Sequence, residues 1–315
     1  MPKVSVIMNC LNGEDYLREA IDSVFAQSET DWELVFLDNA STDRSGEIAR
    51  SYGEKVKYFW NDETIPLGAA RNQAVALAAG EYVAFLDADD VWKPEKLGRQ
   101  LALMDAKPTM GLTFTNATIY HQYDGTANTA FQGLGQLPPR GRMFGYLLMN
   151  QIITMSTVVV RREALANQPE IFDPRYTWAP EYDLFLRIAY EWECDYIDEP
   201  MALYRVHKAS TSERLYSRRP IELRMTLEKL LDRYPLMLKE YPEAVAANRR
   251  IIAIEQGKAS WREGKIGEAR AAFAQYIPSP LYTAAWLATL VPYSWVIKTW
   301  QLVSRMRRVR YGADG

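Results

Sequence analysis

Four short apolar runs alternate with helical patterns in the first ninety residues or so, and three of them close on a polar residue; this order constrains the fold more than any other feature. Val4-Ser5-Val6-Ile7-Met8 reads as a buried strand ending at Asn9, and Tyr16, Leu17, Ala20, Ile21, Val24 and Phe25 then recur at helical spacing. Trp32 to Leu37 is a second strand pattern closed by Asp38, with a helix expected from Asp43 to Tyr52. Val56 to Phe59 is a short strand pattern. A loop with Pro66 and Gly68 leads to a helix over Ala69 to Ala79, for which Gly80 reads as a C-terminal cap. Tyr82 to Leu86 is the fourth strand pattern, ending at Asp87. The order β-α-β-α-β-α-β implies an α/β, Rossmann-like fold: a mostly parallel central sheet flanked by helices. Ligands of such sheets bind beyond the carboxyl ends of the strands, where Asn9, Asp38 and Asp87 fall.

The rest of the chain is less regular. Gly111 to Thr115, Thr157 to Arg161 and Met201 to Val206 read as strands, Glu181 to Trp192 as a helix, and 124–141 as a loop rich in Gly, Gln and Pro. Beyond 216 the pattern is helical. One helix pair, Arg249 to Tyr276, places Gly257, Gly264, Ala269 and Phe273 as a tetratricopeptide repeat does. A chain of 315 residues exceeds the size at which one core stops growing. The expectation is a catalytic domain over 1–215, with a nucleotide-binding half (about 1–100) and an acceptor half (101–215), and a helical extension over 216–315.

A net charge of −3 gives no reason to expect a nucleic-acid partner. Cys10 and Cys194 suggest no metal-ligand spacing or disulfide framework, and free thiols fit a reducing compartment. The N-terminus lacks a signal-peptide pattern, and no apolar run reaches the roughly 20 residues that span a bilayer. The expected location is the cytoplasm. Pro280 to Val303 is rich in Trp, Leu, Val and Tyr and is followed by Arg305, Arg307, Arg308 and Arg310. Such a tail either lies on an anionic membrane surface, here the inner face of the plasma membrane, or closes the core as a helical pair.

Asp87-Ala88-Asp89 sets two carboxylates on one side of an extended segment, a pattern that attracts a hard divalent cation and substrate phosphates; a solvated turn is the plainer reading. Asp38 can accept hydrogen bonds from a base or ribose, with Ser41, Thr42 or Asp43 left to cap the following helix. Arg71, in Gly68-Ala69-Ala70-Arg71-Asn72, can reach a base or a phosphate, or lie on a surface helix face. Glu181 either favours the first turn of its helix or serves as a general base towards an alcohol. His207 can complete a metal site, touch a diphosphate or be structural; His121 has no supporting context.

Taken in order, these segments resemble family 2 glycosyltransferases over about residues 3–212. The matching stretches are Val4 to Asn12, Asp38-Asn39-Ala40-Ser41-Thr42-Asp43, Gly68 to Asn72, Phe85-Leu86-Asp87-Ala88-Asp89-Asp90, Glu181 to Arg187, and Tyr204-Arg205-Val206-His207. The resemblance implies a GT-A fold and a nucleotide-diphospho-sugar donor, a UDP-sugar first. The acceptor would be a glycan or a lipid-linked hydroxyl in cell-surface polysaccharide or glycoconjugate synthesis. It implies that Asn9, Leu11, Asn12, Asp38, Asn39, Arg71, Asp87, Ala88, Asp89 and Arg205 meet the donor, with Asp38 and Arg71 on the nucleoside. Asp87, Asp89 and His207 would hold Mn²⁺ or Mg²⁺, Asp89 being the more direct ligand. Glu181 takes the base position of an inverting displacement, and Trp178, Tyr182 and Asp183, with the 124–141 loop, border the acceptor. Two departures from the family pattern matter. Asn9 and Cys10 replace Pro-Thr, and Pro180 replaces the first acid of the base motif.

Two rivals belong to other classes. A nucleotidyltransferase usually carries a Gly-rich basic loop after the first strand, whereas Asn9 to Asp15 is acidic with one glycine. A non-catalytic nucleotide- or glycan-binding module with a partner-binding tail would release no nucleoside diphosphate from a donor. The sugar, the linkage and the oligomeric state leave no signature in the sequence.

Overall fold

The computed structural model describes residues 1–132, 134, 136–207 and 214–296. The chain divides into two compact units, Met1–Arg214 and Leu215–Gly315.

In the first unit, β1 (Val4–Cys10), β2 (Trp32–Asp38), β3 (Val56–Trp60) and β4 (Tyr82–Phe85) run parallel, in the spatial order β3-β2-β1-β4. The sheet continues through β8 (Val159–Arg161), β6 (Met110–His121), β9 (Glu193–Val206) and β5 (Val91–Trp92). β8 runs antiparallel to β4 and β6, β9 parallel to β6, and β5 antiparallel to β9. The chain steps from β1 to β2 and β3 on one side and returns to β4 on the other. The crevice between the ends of β1 and β4 is therefore the topological switch point, the usual ligand position in open α/β sheets.

The helices follow the expected faces. α1 (Leu17–Phe25) buries Leu17, Ala20, Ile21 and Val24, one stripe at helical spacing, against Val4, Val6 and Met8 of β1. α2 (Ser45–Arg50) is shorter than the expected 43–52, because Asp43 Oδ1 accepts the Ser45 amide and fixes the start. α3 (Leu67–Leu77) ends before Gly80, which does not cap it. Gly80 is required for a different reason: a Cβ there would lie 2.5 Å from the Ser5 amide nitrogen, and the Gly80 amide donates to Ser5 Oγ. α4 (Lys96–Ala106), α5 (Phe144–Met149), α6 (Arg162–Ala166) and α7 (Pro180–Glu191) complete the unit; Pro180 suits the first turn of α7 because no helical amide is lost there.

Three expectations about the second half are corrected. β6 runs on to His121 and β9 starts at Glu193, since these two strands pair along almost their whole length despite shifts in register near Asn116. The segment 124–141 is not all loop: β7 (Thr126–Thr129) forms a hairpin with β6. Phe131 then turns inward against Phe114 and Tyr196 and anchors the end of that hairpin.

The second unit is helical: α8 (Arg219–Arg233), α9 (Met237–Glu240), α10 (Pro242–Arg262), α11 (Ile266–Ala274) and α12 (Pro280–Ala288). α10 and α11 form a hairpin that turns at Gly264, whose φ is 78°. Their contact is close because a Cβ at Gly257 would fall 2.1 Å from the Phe273 ring. Tyr282, Trp286, Tyr293 and Val296 cover this pair, and the Trp261 indole donates to the Val291 carbonyl. Leu281, Leu287, Leu290, Val291 and Trp295 are exposed. No described helix is long and apolar enough to cross a membrane. The tail arginines lie outside the described residues.

Candidate active site

Two loops at the carboxyl ends of β1 and β2 lock together. The Asn12 amide donates to Ser41 Oγ, Gly13 to Ser45 Oγ and Glu14 to Asp43 Oδ2, while Asn12 Oδ1 accepts the Thr42 amide. Asn12 (φ 55°) and Ala40 (φ 66°) both adopt left-handed backbone. Asn tolerates that region; Ala does so only at a cost.

Asp38 is buried within this interlock. Its Oδ1 accepts the Ser41 amide and its Oδ2 the Tyr58 hydroxyl, both at 2.8 Å, so it caps its own loop. Burial, with Asp38 as hydrogen-bond partner, pushes the Tyr58 hydroxyl up to about 12. The Asn39 side chain is committed to the neighbouring loop, donating to the Ile65 carbonyl and accepting from Ile65 and Asn61. Leu11 is exposed, and Asn9 Nδ2 is buried without a protein partner.

Arg71 does not lie on a surface helix face. It is 4% exposed, and its fork joins two acids: Nη2 donates to Asp87 Oδ1 and Nη1 to Glu181 Oε2, each at 2.9 Å. Burial disfavours the charged guanidinium, but Asp87 and Glu181 outweigh it and raise its pKa. Glu181 itself is raised above the ordinary glutamate value; burial is the main cause, opposed by Arg71. The sequence-predicted base and the first acid of the Asp87–Asp89 motif thus share one cation.

Asp89 Oδ2 lies 2.9 Å from His207 Nε2, and Tyr16 backs that imidazole at 5.2 Å between ring centroids. Arg205 braces the same loop: its Nε donates to the Asp89 carbonyl, and its guanidinium lies over Tyr16 and meets Glu19. Ala88 packs against the core. Burial and then the charge of Asp87 raise the pKa of Asp89, against the pull of His207. Asp90 is raised well above its usual value by burial and by both neighbouring aspartates. Two carboxylates and an imidazole are donors that Mn²⁺ or Mg²⁺ accepts, and crowded negative charge is what a cation offsets, so these residues fit a divalent ion. Among the described residues, however, no three His, Cys, Asp or Glu side chains are already arranged as a ligand cluster.

Asp183 is implied by the resemblance to border the acceptor. It is fully buried, and its Oδ2 accepts Nε and Nη2 of Arg187 one turn on, while Arg187 also holds the carbonyls of Glu170 and Ile171. It braces α7 from within. Tyr182 does border open space, a crevice shared with Leu147, Ile152, Phe185 and Leu186, and its hydroxyl donates to the Leu148 carbonyl. Trp178 is half-buried just before α7. Ser156, Asp90 and Tyr58 were not among the sequence candidates; only Asp90, next to Asp87-Ala88-Asp89, lay within a recognisable motif.

The family model for glycosyl transferase family 2 matches residues 5–165, just over half of the chain. This chain belongs to that family. TuaG of Bacillus subtilis (strain 168), provisionally described as a teichuronic acid biosynthesis glycosyltransferase, is 36% identical over 165 residues, 51% of this chain and 63% of TuaG. The match therefore spans less than two thirds of that relative. Among solved structures, the mannosyltransferase PcManGT from Pyrobaculum calidifontis, in complex with GDP-Man and Mn²⁺, aligns over 99% of this chain and 88% of its own, with a TM-score of 0.63 and 21% identity. S. aureus TarS 1–349 in complex with UDP-GlcNAc aligns over 91% and 79%, with a TM-score of 0.60 and 18% identity. At these identities the neighbours show the fold, which is GT-A, as the sequence motifs implied.

Proposed function

We propose that this glycosyltransferase moves a sugar from a nucleotide-diphospho-sugar, a UDP-sugar first, to a hydroxyl of a glycan or lipid-linked acceptor, with inversion at the anomeric carbon. The observation that carries this reading is the Arg71 bridge, which sets Glu181 and Asp87 on either side of one guanidinium at the switch-point crevice. Asp38 and the interlocked 12–14 and 41–45 loops form the nucleoside end. Asp87, Asp89 and His207 would hold a divalent cation, which when bound neutralises charge on a diphosphate leaving group.

Glu181 takes the proton of the acceptor hydroxyl. The oxygen forms its bond to the anomeric carbon as the bond to the diphosphate breaks, and the nucleoside diphosphate leaves with the electron pair. Burial leaves Glu181 a stronger base than an exposed glutamate, which suits an alcohol. Arg71 orients it and limits the penalty of its charge. Tyr182 and the crevice beside it border the acceptor side, and the Glu181 carboxylate extends one methylene further than an aspartate would. The PcManGT and TarS complexes, with their nucleotide-sugars, support the donor class.

A screen of nucleotide-sugars tests the reading. Purified protein with Mn²⁺ is expected to release nucleoside diphosphate from one donor or a narrow set, and EDTA is expected to abolish release. Release that EDTA leaves unchanged would remove the metal from the account, and no release from any donor would favour a binding module.

A further inference from the structure

One buried hydroxyl holds the Asp87–Asp89 loop at both ends. Ser156 sits in the 3₁₀ turn Met155–Thr157 that leads into β8, with no exposed surface. Its Oγ accepts the Asp87 amide at 3.1 Å and its hydroxyl donates to Asp90 Oδ2 at 2.5 Å. Its carbonyl accepts the Trp92 indole N–H at 2.6 Å. Asp90 passes the constraint on, because its Oδ1 accepts the Arg205 amide, while Arg205 Nε holds the Asp89 carbonyl. The turn is itself braced by Gln100, which donates to the Thr157 carbonyl. The backbone of residues 87–92 is therefore pinned by Ser156 from one side and by Arg205 from the other. Pinned this way, the Asp87 carboxylate meets Arg71 and the Asp89 carboxylate meets His207.

We propose that Ser156 is a positioning residue for the donor: acting through Asp90 and the Asp87 amide, it presets the two carboxylates that receive the diphosphate. The proposal rests on the reading of the Asp87–Asp89 loop as the diphosphate site. Groups that orient ligating carboxylates typically change ligand affinity by about 10–100-fold when removed.

The test compares Ser156→Ala with Thr157→Val. The second also removes a buried hydroxyl from the same turn, but that hydroxyl donates only to the Thr154 carbonyl. Hydrogen–deuterium exchange of the ligand-free proteins and binding of UDP in the presence of Mn²⁺ are both measured. In Ser156→Ala, amides 87–92 are expected to exchange roughly tenfold faster, about the worth of one hydrogen bond, and UDP affinity to fall roughly 10–100-fold. Thr157→Val is expected to leave both near wild type. Asp90→Asn probes the same bond from its other end if Ser156→Ala folds poorly, and its effect on UDP affinity should not add to that of Ser156→Ala. Unchanged exchange at 87–92, or faster exchange with unchanged UDP affinity, overturns the positioning role. Wild-type protein that binds neither UDP nor GDP with Mn²⁺ overturns the diphosphate-site reading instead, and the exchange result then stands as loop bracing alone.

Discussion

Arg71 and Ala40 show how single residues carry opposite burdens in this site. Arg71, itself buried, joins two acids through one guanidinium, Asp87 at one end of its fork and Glu181 at the other. Ala40 carries a conformational cost, since it holds φ 66°, a left-handed backbone that favours glycine. Ala40→Gly is expected to stabilise the protein by roughly 0.5–1 kcal/mol, the relief of left-handed backbone minus the entropy of a more flexible unfolded chain. Urea denaturation measures it, and equal or lower stability would mean that the Ala40 methyl makes compensating contacts. At this scale the sequence was informative about residue type and less so about partner. Asp89 and His207 were paired in expectation and are paired in space. The resemblance implies a nucleoside contact for Arg71, and the structure adds its bridge between Asp87 and Glu181, which spacing along the chain does not show. Ser156 left no trace, because a serine entering a strand looks the same whether or not it clamps a loop.

Among the elements, α7 links chemistry to stability. Its first turn carries Glu181, which meets Arg71, while Asp183 and Arg187, one turn apart, are buried and hold the segment 168–171. Breaking a buried pair costs more than the pair contributes, because the partner's charge is left behind. Asp183→Ala is expected to destabilise the protein by about 3–5 kcal/mol, read as a shift of the urea midpoint; a change under about 1 kcal/mol would place the pair in effective solvent. The first four strands and three helices were legible because each keeps one hydrophobic period between clear breaks. β6 and β9 were legible only in part: the last four residues of β6 are only partly buried, and the missed start of β9 sets Glu193, Asp195, Asp198 and Glu199 among its apolar residues. Gly80 shows the limit of local signals: it follows a helix as a cap does, yet its role comes from β1, 75 residues earlier in the chain.

Over the whole molecule, the GT-A unit accounts for the chemistry, and the helical unit raises the question of location. The segment after 280 has two faces. Tyr282, Trp286 and Tyr293 close the α10–α11 core, while Leu281, Leu287, Leu290 and Trp295 are exposed. Removal from 280 would strip that core. A truncation after residue 296 removes the arginine-rich end and keeps the packed face. If the tail binds anionic surfaces, the full-length chain floats with phosphatidylserine vesicles and the truncation floats less, with the difference shrinking as salt rises. Equal flotation would refute a tail anchor.

The central claim, that Glu181 is the base, is tested most directly by the pH dependence of transfer in wild type and Glu181→Gln. The base acts when deprotonated, so the wild-type rate should fall as pH drops through the pKa of Glu181, which burial sets above the ordinary glutamate value. Glu181→Gln should lose roughly 10²–10⁴-fold in kcat, lose that acid limb, and bind nucleoside diphosphate as wild type does. Near-native turnover in Glu181→Gln with an unchanged acid limb would contradict the account.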